Sequence, residues 1–205
     1  MSRLRTLIVL SGSLLLIVSA YSQEPAPSEV VHPNQRVEVS NLPSLVADKD
    51  TPPELAALRI VLHAENIRCD EHSAIETAAR TVTDHSLKDL VTKIAGTSCA
   101  TDRGSVKINA SFVPGSAIRG DDVIGILLRH KPQLIQYQGG IVVLYGVIYD
   151  EHLYADGSRM NVVRKFLMLD PRYLGERRFV SFTREKDDFT HVAGVARVEP
   201  AGNPN

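Results

Sequence analysis

The sequence predicts an α+β domain in which N-terminal helices pack on one side of a mainly antiparallel sheet. Two observations carry that class. From Thr51 to His130 most apolar residues recur at helical spacing. After Pro132 they fall into runs rich in Val, Ile, Phe and Tyr. Helices first and strands second separate this class from an alternating α/β fold.

Residues 1–22 read as a cleavable export signal. Arg3 and Arg5 give a basic start, and Leu7 to Ala20 is an apolar run of about 14 residues. Val18-Ser19-Ala20 and Ala20-Tyr21-Ser22 each offer small residues for cleavage. The run is shorter than the ~20 residues a spanning helix needs. An uncleaved anchor is the alternative. No Cys stands near the exit, which argues against a lipid-anchored form. The product is expected outside the cytoplasm, periplasmic or secreted, with no stable membrane insertion after cleavage.

Residues 23–50 read as a Pro-rich arm, extended and partly disordered, because Pro25, Pro27, Pro33 and Pro43 break helices. Val37, Val39, Leu42 and Leu45 are the residues that could dock it. The domain proper is expected over 51–200, with a tail at 201–205. Thr51-Pro52-Pro53-Glu54 has the form of a capping box with Pro at the first helical position. Leu55, Leu58, Val61 and Leu62 follow at helical spacing.

A second helix is predicted over Asp70–Val82 and a third over Ser86–Ala95, with Ser86 capping and Gly96 terminating the third. A strand is predicted near Ser105–Phe112 and a fourth helix near Asp121–His130. Five strands are then expected, at Leu134–Tyr137, Ile141–Tyr149, Val162–Leu169, Phe179–Phe182 and Val192–Val198. Gly139-Gly140 and Asp156-Gly157 are hairpin signals.

Composition bounds the function. Hydrophobic residues make up 43% and charged residues 23%, as in an ordinary globular domain. A net charge of −1 supplies no field for nucleic acid, so no nucleic-acid partner is expected. Cys69 and Cys99 are the only cysteines, and an even count in an exported chain favours a disulfide. A free, reactive Cys69 is the competing reading.

Several polar clusters have ordinary explanations. Cys69-Asp70-Glu71-His72 is rich in ligand types, and with His63 or His85 it could be imagined around zinc. Adjacent helical residues diverge, so Asp70 as a helix cap and Glu71 as a dipole partner is the better reading, and no metal or other cofactor is expected. The acids from Asp150 to Asp156 lack the spacing of a calcium loop. Asp121 and Asp122 start a helix, and Arg172, Arg177 and Arg178 form a basic loop cluster. His32 and His191 read as surface residues.

The segment from Pro132 to Pro171 contains Gly139-Gly140-Ile-Val-Val-Leu-Tyr-Gly146, then Tyr149-Asp150, then Leu169-Asp170-Pro171. In order and pattern it resembles the C-terminal half of papain-like cysteine peptidases, especially small bacterial ones. Upstream, Ser73-Ala-Ile-Glu76 is similar to the family's Cys-Trp-Ala-Ala-Ser-Ile-Glu segment, and the resemblance spans about residues 65–198. It implies a papain-like fold with a thiolate at a helix N-terminus, a His on a strand facing it and an Asp or Asn orienting that His. Asp170 matches the orienting position. Gly140 stands where the His belongs, and the register puts the nucleophile on Asp70, one residue from Cys69. No Gln lies in the six residues before Cys69 to serve the oxyanion.

The leading expectation is therefore a non-catalytic, pseudopeptidase-like domain that binds a peptide or protein partner. An active cysteine peptidase or amidase using Cys69, with His130 or His152 as base, is the alternative. A small-ligand-binding α+β cone, its sheet wrapped around the first helix, is the third.

Overall fold

A computed structural model describes residues 29–40, 42–43, 50–102, 104–173, 176–181 and 192–201. The expected export signal lies outside these residues. No helix among them is long and apolar enough to cross a membrane. In chain order the elements are β1 (Val30–Glu38), α1 (Pro53–Ala64), α2 (Ala74–Arg80), α3 (Leu87–Ile94), β2 (Ser98–Thr101), β3 (Gly104–Pro114) and α4 (Gly120–Leu127). Then come β4 (Gln133–Tyr137), β5 (Gly140–Leu153), β6 (Arg159–Asp170), β7 (Glu176–Ser181) and β8 (Val192–Pro200). The architecture is α+β, and every strand pairing is antiparallel. The sheet runs β2-β3-β8-β4-β5-β6-β7, and β1 pairs with β5 beyond the end of β4.

Both hairpin signals form turns. Tyr137 pairs with Gly140 around Gln138 and Gly139, and Leu153 pairs with Arg159 around Asp156 and Gly157. β1 lies inside the stretch that the sequence reads as an arm. Its Val37 is buried, as is Val39 just after it, so the sheet begins some twenty residues before Thr51.

Helices cover both faces of the sheet, not one. Leu55, Leu58, Ile75, Leu90 and Ile94 of α1–α3 pack with Ile141, Val143, Leu167 and Ala196. On the opposite face Val123, Ile124 and Leu127 of α4 pack with Ile135, Leu144, Phe166 and Val195. The reason is in the strands. Ile141–Val147 is nearly unbroken apolar sequence, so successive side chains are apolar on both faces and both need cover.

Three local expectations are corrected. The capping box does not close: Pro52 is the N-cap without a side-chain bond, and Glu54 pairs with His85 Nδ1 instead. α2 starts at Ala74, because Asp70 donates its N–H to Ala100 O and is held at the edge of β2. Asp70 therefore does not cap α2; Ser73 occupies that position. α3 matches its expected cap, with Asp89 N donating to Ser86 Oγ at 3.2 Å.

The long β5–β6 hairpin carries two register shifts. At the first, near Gly146, the α4-facing series on β5 passes from Leu144 to Val147. Only glycine fits there, since a Cβ on Gly146 would lie 2.8 Å from Val37 O on β1. Farther along, Asp150 clamps β1 onto the hairpin. Asn34 N donates to its Oδ1 at 2.9 Å, and Arg164 Nε donates to its Oδ2 at 2.7 Å. Burial pushes the Asp150 carboxyl up, but the Asn34 N–H and the Arg164 guanidinium outweigh it and hold the group below its usual range.

A carboxyl with a depressed folded pKa contributes stability above its unfolded value of ~3.9, and that stability is lost as pH falls through the lower folded value. Asp150→Ala is expected to cost about 2 kcal/mol at neutral pH. It should also flatten the dependence of stability on pH below about 4. Urea unfolding at pH 7 and in the acid limb, on both proteins, checks both effects; an unchanged acid limb would remove Asp150 from this role.

Candidate functional site

The residues singled out by the papain-like pattern fall at two ends of the sheet. Cys69, in the loop after α1, is disulfide-bonded to Cys99 on β2, with Cα atoms 5.2 Å apart. Cys99 is fully buried. Asp170 ends β6, five strand spacings away along β2-β3-β8-β4-β5-β6. At ~4.8 Å per spacing this is about 24 Å along the sheet. The helix lying along β5 is α1; α2, after Asp70, packs instead on α1, α3 and β2. The strand at Ile141 is thus not beside the helix that follows Cys69.

Gly140 and Asp170 do come together, and Arg172 joins them. Arg172 Nε and Nη2 donate to the two carboxylate oxygens at 2.9 and 2.8 Å, and its backbone N–H donates to Oδ1 at 3.0 Å. A Cβ on Gly140 would sit 2.4 Å from Arg172 Nη1. The guanidinium therefore occupies the space that a side chain at 140 would enter. Where the resemblance implies an imidazole oriented by Asp170, this chain holds a guanidinium, which cannot act as a base near neutral pH.

The other candidates are dispersed. Glu76 is buried and held by Arg59 through bonds of 2.7 and 2.6 Å. His63 on α1 is held below its usual pKa by burial first, then by Arg68 and Arg59. His130 follows α4 across the sheet, and His152 Nδ1 lies 2.5 Å from Glu29 Oε1 near the tip of β5. Of the basic cluster, Arg172 is tied to Asp170, while Arg177 and Arg178 belong to β7. Among the described residues no three His, Cys, Asp or Glu side chains come together as a metal site.

A different site emerges on the α4 face. A cleft of about 230 Å³ opens between α4, with the segment leading into it, and the strands β3, β8 and β4. Ser111 pairs with Arg197 across β3 and β8, and Leu134 pairs with Ala196 across β4 and β8. Ser111, Arg197 and Gln133 therefore form one row of the floor. Gln133 is 2% exposed, and its Nε2 has no hydrogen-bond partner. Arg197 Nε is likewise buried without one. Ile118, Val123, Ile126 and Val195 supply apolar walls, and Arg119 and Asp122 stand at the rim of α4.

Sequence reasoning passed over Gln133 and Arg197 because Gln136 shares the strand of the first and Glu199 that of the second, so nothing along the chain sets either residue apart. The two-residue period puts Val195, Arg197 and Glu199 on one face, a mixed pattern that does not single out Arg197.

Comparison with protein-family models, curated proteins and solved structures finds no match. The site must be read from its own chemistry.

Two stability predictions follow from the two ends of the sheet. Arg172→Ala removes the guanidinium that meets a carboxylate only 1% exposed and should cost about 3 kcal/mol. The Asp170→Asn/Arg172→Ala double variant should recover part of that loss; a double variant no more stable than the single would mean that the pair is not the source. Cys99→Ser should lower stability by about 2–4 kcal/mol, as expected for opening a loop of 30 residues. Denaturant midpoints under non-reducing conditions measure both.

Proposed function

We propose that this chain is an exported, non-catalytic binding domain that engages a peptide or protein partner. The observation that carries the reading is the state and place of Cys69. Its sulfur is bonded to Cys99, and it lies five strand spacings from Asp170, the carboxylate that the papain-like pattern assigns to orienting the base. A disulfide sulfur is not a thiolate nucleophile. The disulfide also supports an extracytoplasmic destination, since such bonds persist in oxidising compartments.

On this reading the papain-like order of Pro132 to Pro171 serves structure. Asp170 anchors Arg172 at the end of β6, and Gly140 makes room for it. The cleft under α4 is the binding surface. Its lining contains neither His nor Cys, so it offers hydrogen bonds and apolar contact in place of a nucleophile–base pair.

The purified native protein should show no titratable thiol when denatured without reductant, and two after reduction. Incubated reduced with a mixed peptide library, it should show no turnover. Turnover that disappears in Cys69→Ala would overturn the non-catalytic reading and establish the cysteine peptidase alternative.

A further inference from the structure

We infer that the cleft under α4 binds a carboxylate that carries a short branched aliphatic group, with Gln133 and Arg197 as its donors. The inference rests on the binding-domain reading and names the chemistry of its ligand.

Gln133 Nε2 and Arg197 Nε are both donors, both buried, and neither meets an acceptor. A buried donor without a partner is costly, and an incoming acceptor removes that cost. The two stand on adjacent strands in one row, so a single ligand group can reach both. The guanidinium makes the preferred acceptor an anion, and the planar fork of an arginine suits a carboxylate. Arg119 at the rim adds a second cation to the lining, against one acid, Asp122. The lining is therefore net positive, although the whole chain carries −1.

The walls select what the carboxylate is attached to. Ile118, Val123, Ile126 and Val195 enclose the remaining space with aliphatic surface. A volume of about 230 Å³ accommodates one branched aliphatic group with its carboxylate. Such a ligand buries its apolar part against these walls while its charge meets the floor. Ser111 and Arg197 also line a second hollow of about 250 Å³, bordered by Gly96, Asn109 and Glu199. A chain ending in the cleft has that hollow to run through. The shared chemistry thus fits two sources, a free aliphatic acid and the C-terminus of a peptide ending in Leu, Ile or Val.

The test is an NMR titration of the native, oxidised protein, following backbone amides of β3, α4, β4 and β8. The probes are 4-methylpentanoic acid, N-acetyl-leucine, N-acetyl-leucinamide and N-acetyl-Ala-Ala-Leu with a free or an amidated C-terminus. The free acids should shift the cleft amides, and each amide should bind at least tenfold more weakly, as loss of a charge-assisted bond implies. A free-acid tripeptide that binds tenfold tighter than N-acetyl-leucine assigns the site to a chain terminus; equal binding assigns it to a small acid. Arg197→Met should abolish binding. Ile126→Trp, which fills the cleft without changing charge, should abolish it too and covers the case in which Arg197→Met does not fold.

Equal binding of acid and amide, or no shift from any probe at millimolar concentration, overturns the inference. Neither result touches the non-catalytic reading, which stands or falls on peptide turnover.

Discussion

The constraint on which the rest of this structure depends is the two-sided apolar character of β4, β5 and β6. Ile135, Val142 and Leu144 point one way and Leu134, Ile141 and Val143 the other, all of them buried. A sheet of that kind cannot leave a face in water. Three helices close one side, and α4, with Val37 of the N-terminal strand and Val39 just after it, closes the other. Residues 30–38 thus belong to the sheet although their composition reads as a linker: once β5 extends past β4, its free edge and the face around Val147 need a partner. Asp150 then ties that partner to the hairpin, accepting one hydrogen bond from Asn34 N on β1 and one from Arg164 Nε on β6.

The same constraint decides which parts of the fold were legible in the sequence. α1 and α3, β3 to β6 and β8 carry their own signals in helical spacing, in the Ser86 cap and in the period-two runs, and each appears within a few residues of its predicted bounds. β1 and β2 were not legible. β1 is exposed along most of its length and contains Pro33, so nothing local marks it as a strand; the ladder to β5 makes it one. β2 has four residues and exists through its hairpin with β3 and the link from Cys99 to Cys69. The beginning of α2 fails for a related reason. Asp70 to His72 would continue a helix on local propensity, but the disulfide and the bond from Asp70 to Ala100 hold the chain in turns there. Tertiary ties override propensity at each of these places.

The site was legible only in fragments. Pairing Cys69 with Cys99 followed from count and compartment, and the structure contains that bond. The likeness to a peptidase singled out Gly140 and Asp170, which the fold does bring together. What stands between them is Arg172, which the sequence reading had grouped with Arg177 and Arg178 as a solvated loop. Motif order along the chain could identify the carboxylate; it could not tell which side chain would fill the gap beside a glycine, because that depends on how β6 turns after Pro171.

The cleft has a physical dependence that the peptidase pattern hides. Its floor joins Ser111, Gln133 and Arg197 from three strands that are adjacent only because β8, the last strand described, lies between β3 and β4. Until β8 is in place, Gln133 and Arg197 are ordinary hydrated side chains and no cleft exists. Insertion of β8 buries Val195, Ala196 and Val198, a gain of roughly 25 cal/mol per Å² of apolar surface, and it carries Arg197 in with them. The apolar neighbours supply the drive that buries a cation's Nε and an amide without partners. The groups best suited to grip an anion are therefore placed there by the same strand alternation that builds the core, which is why the site is small, largely preformed and invisible to any motif read along the chain.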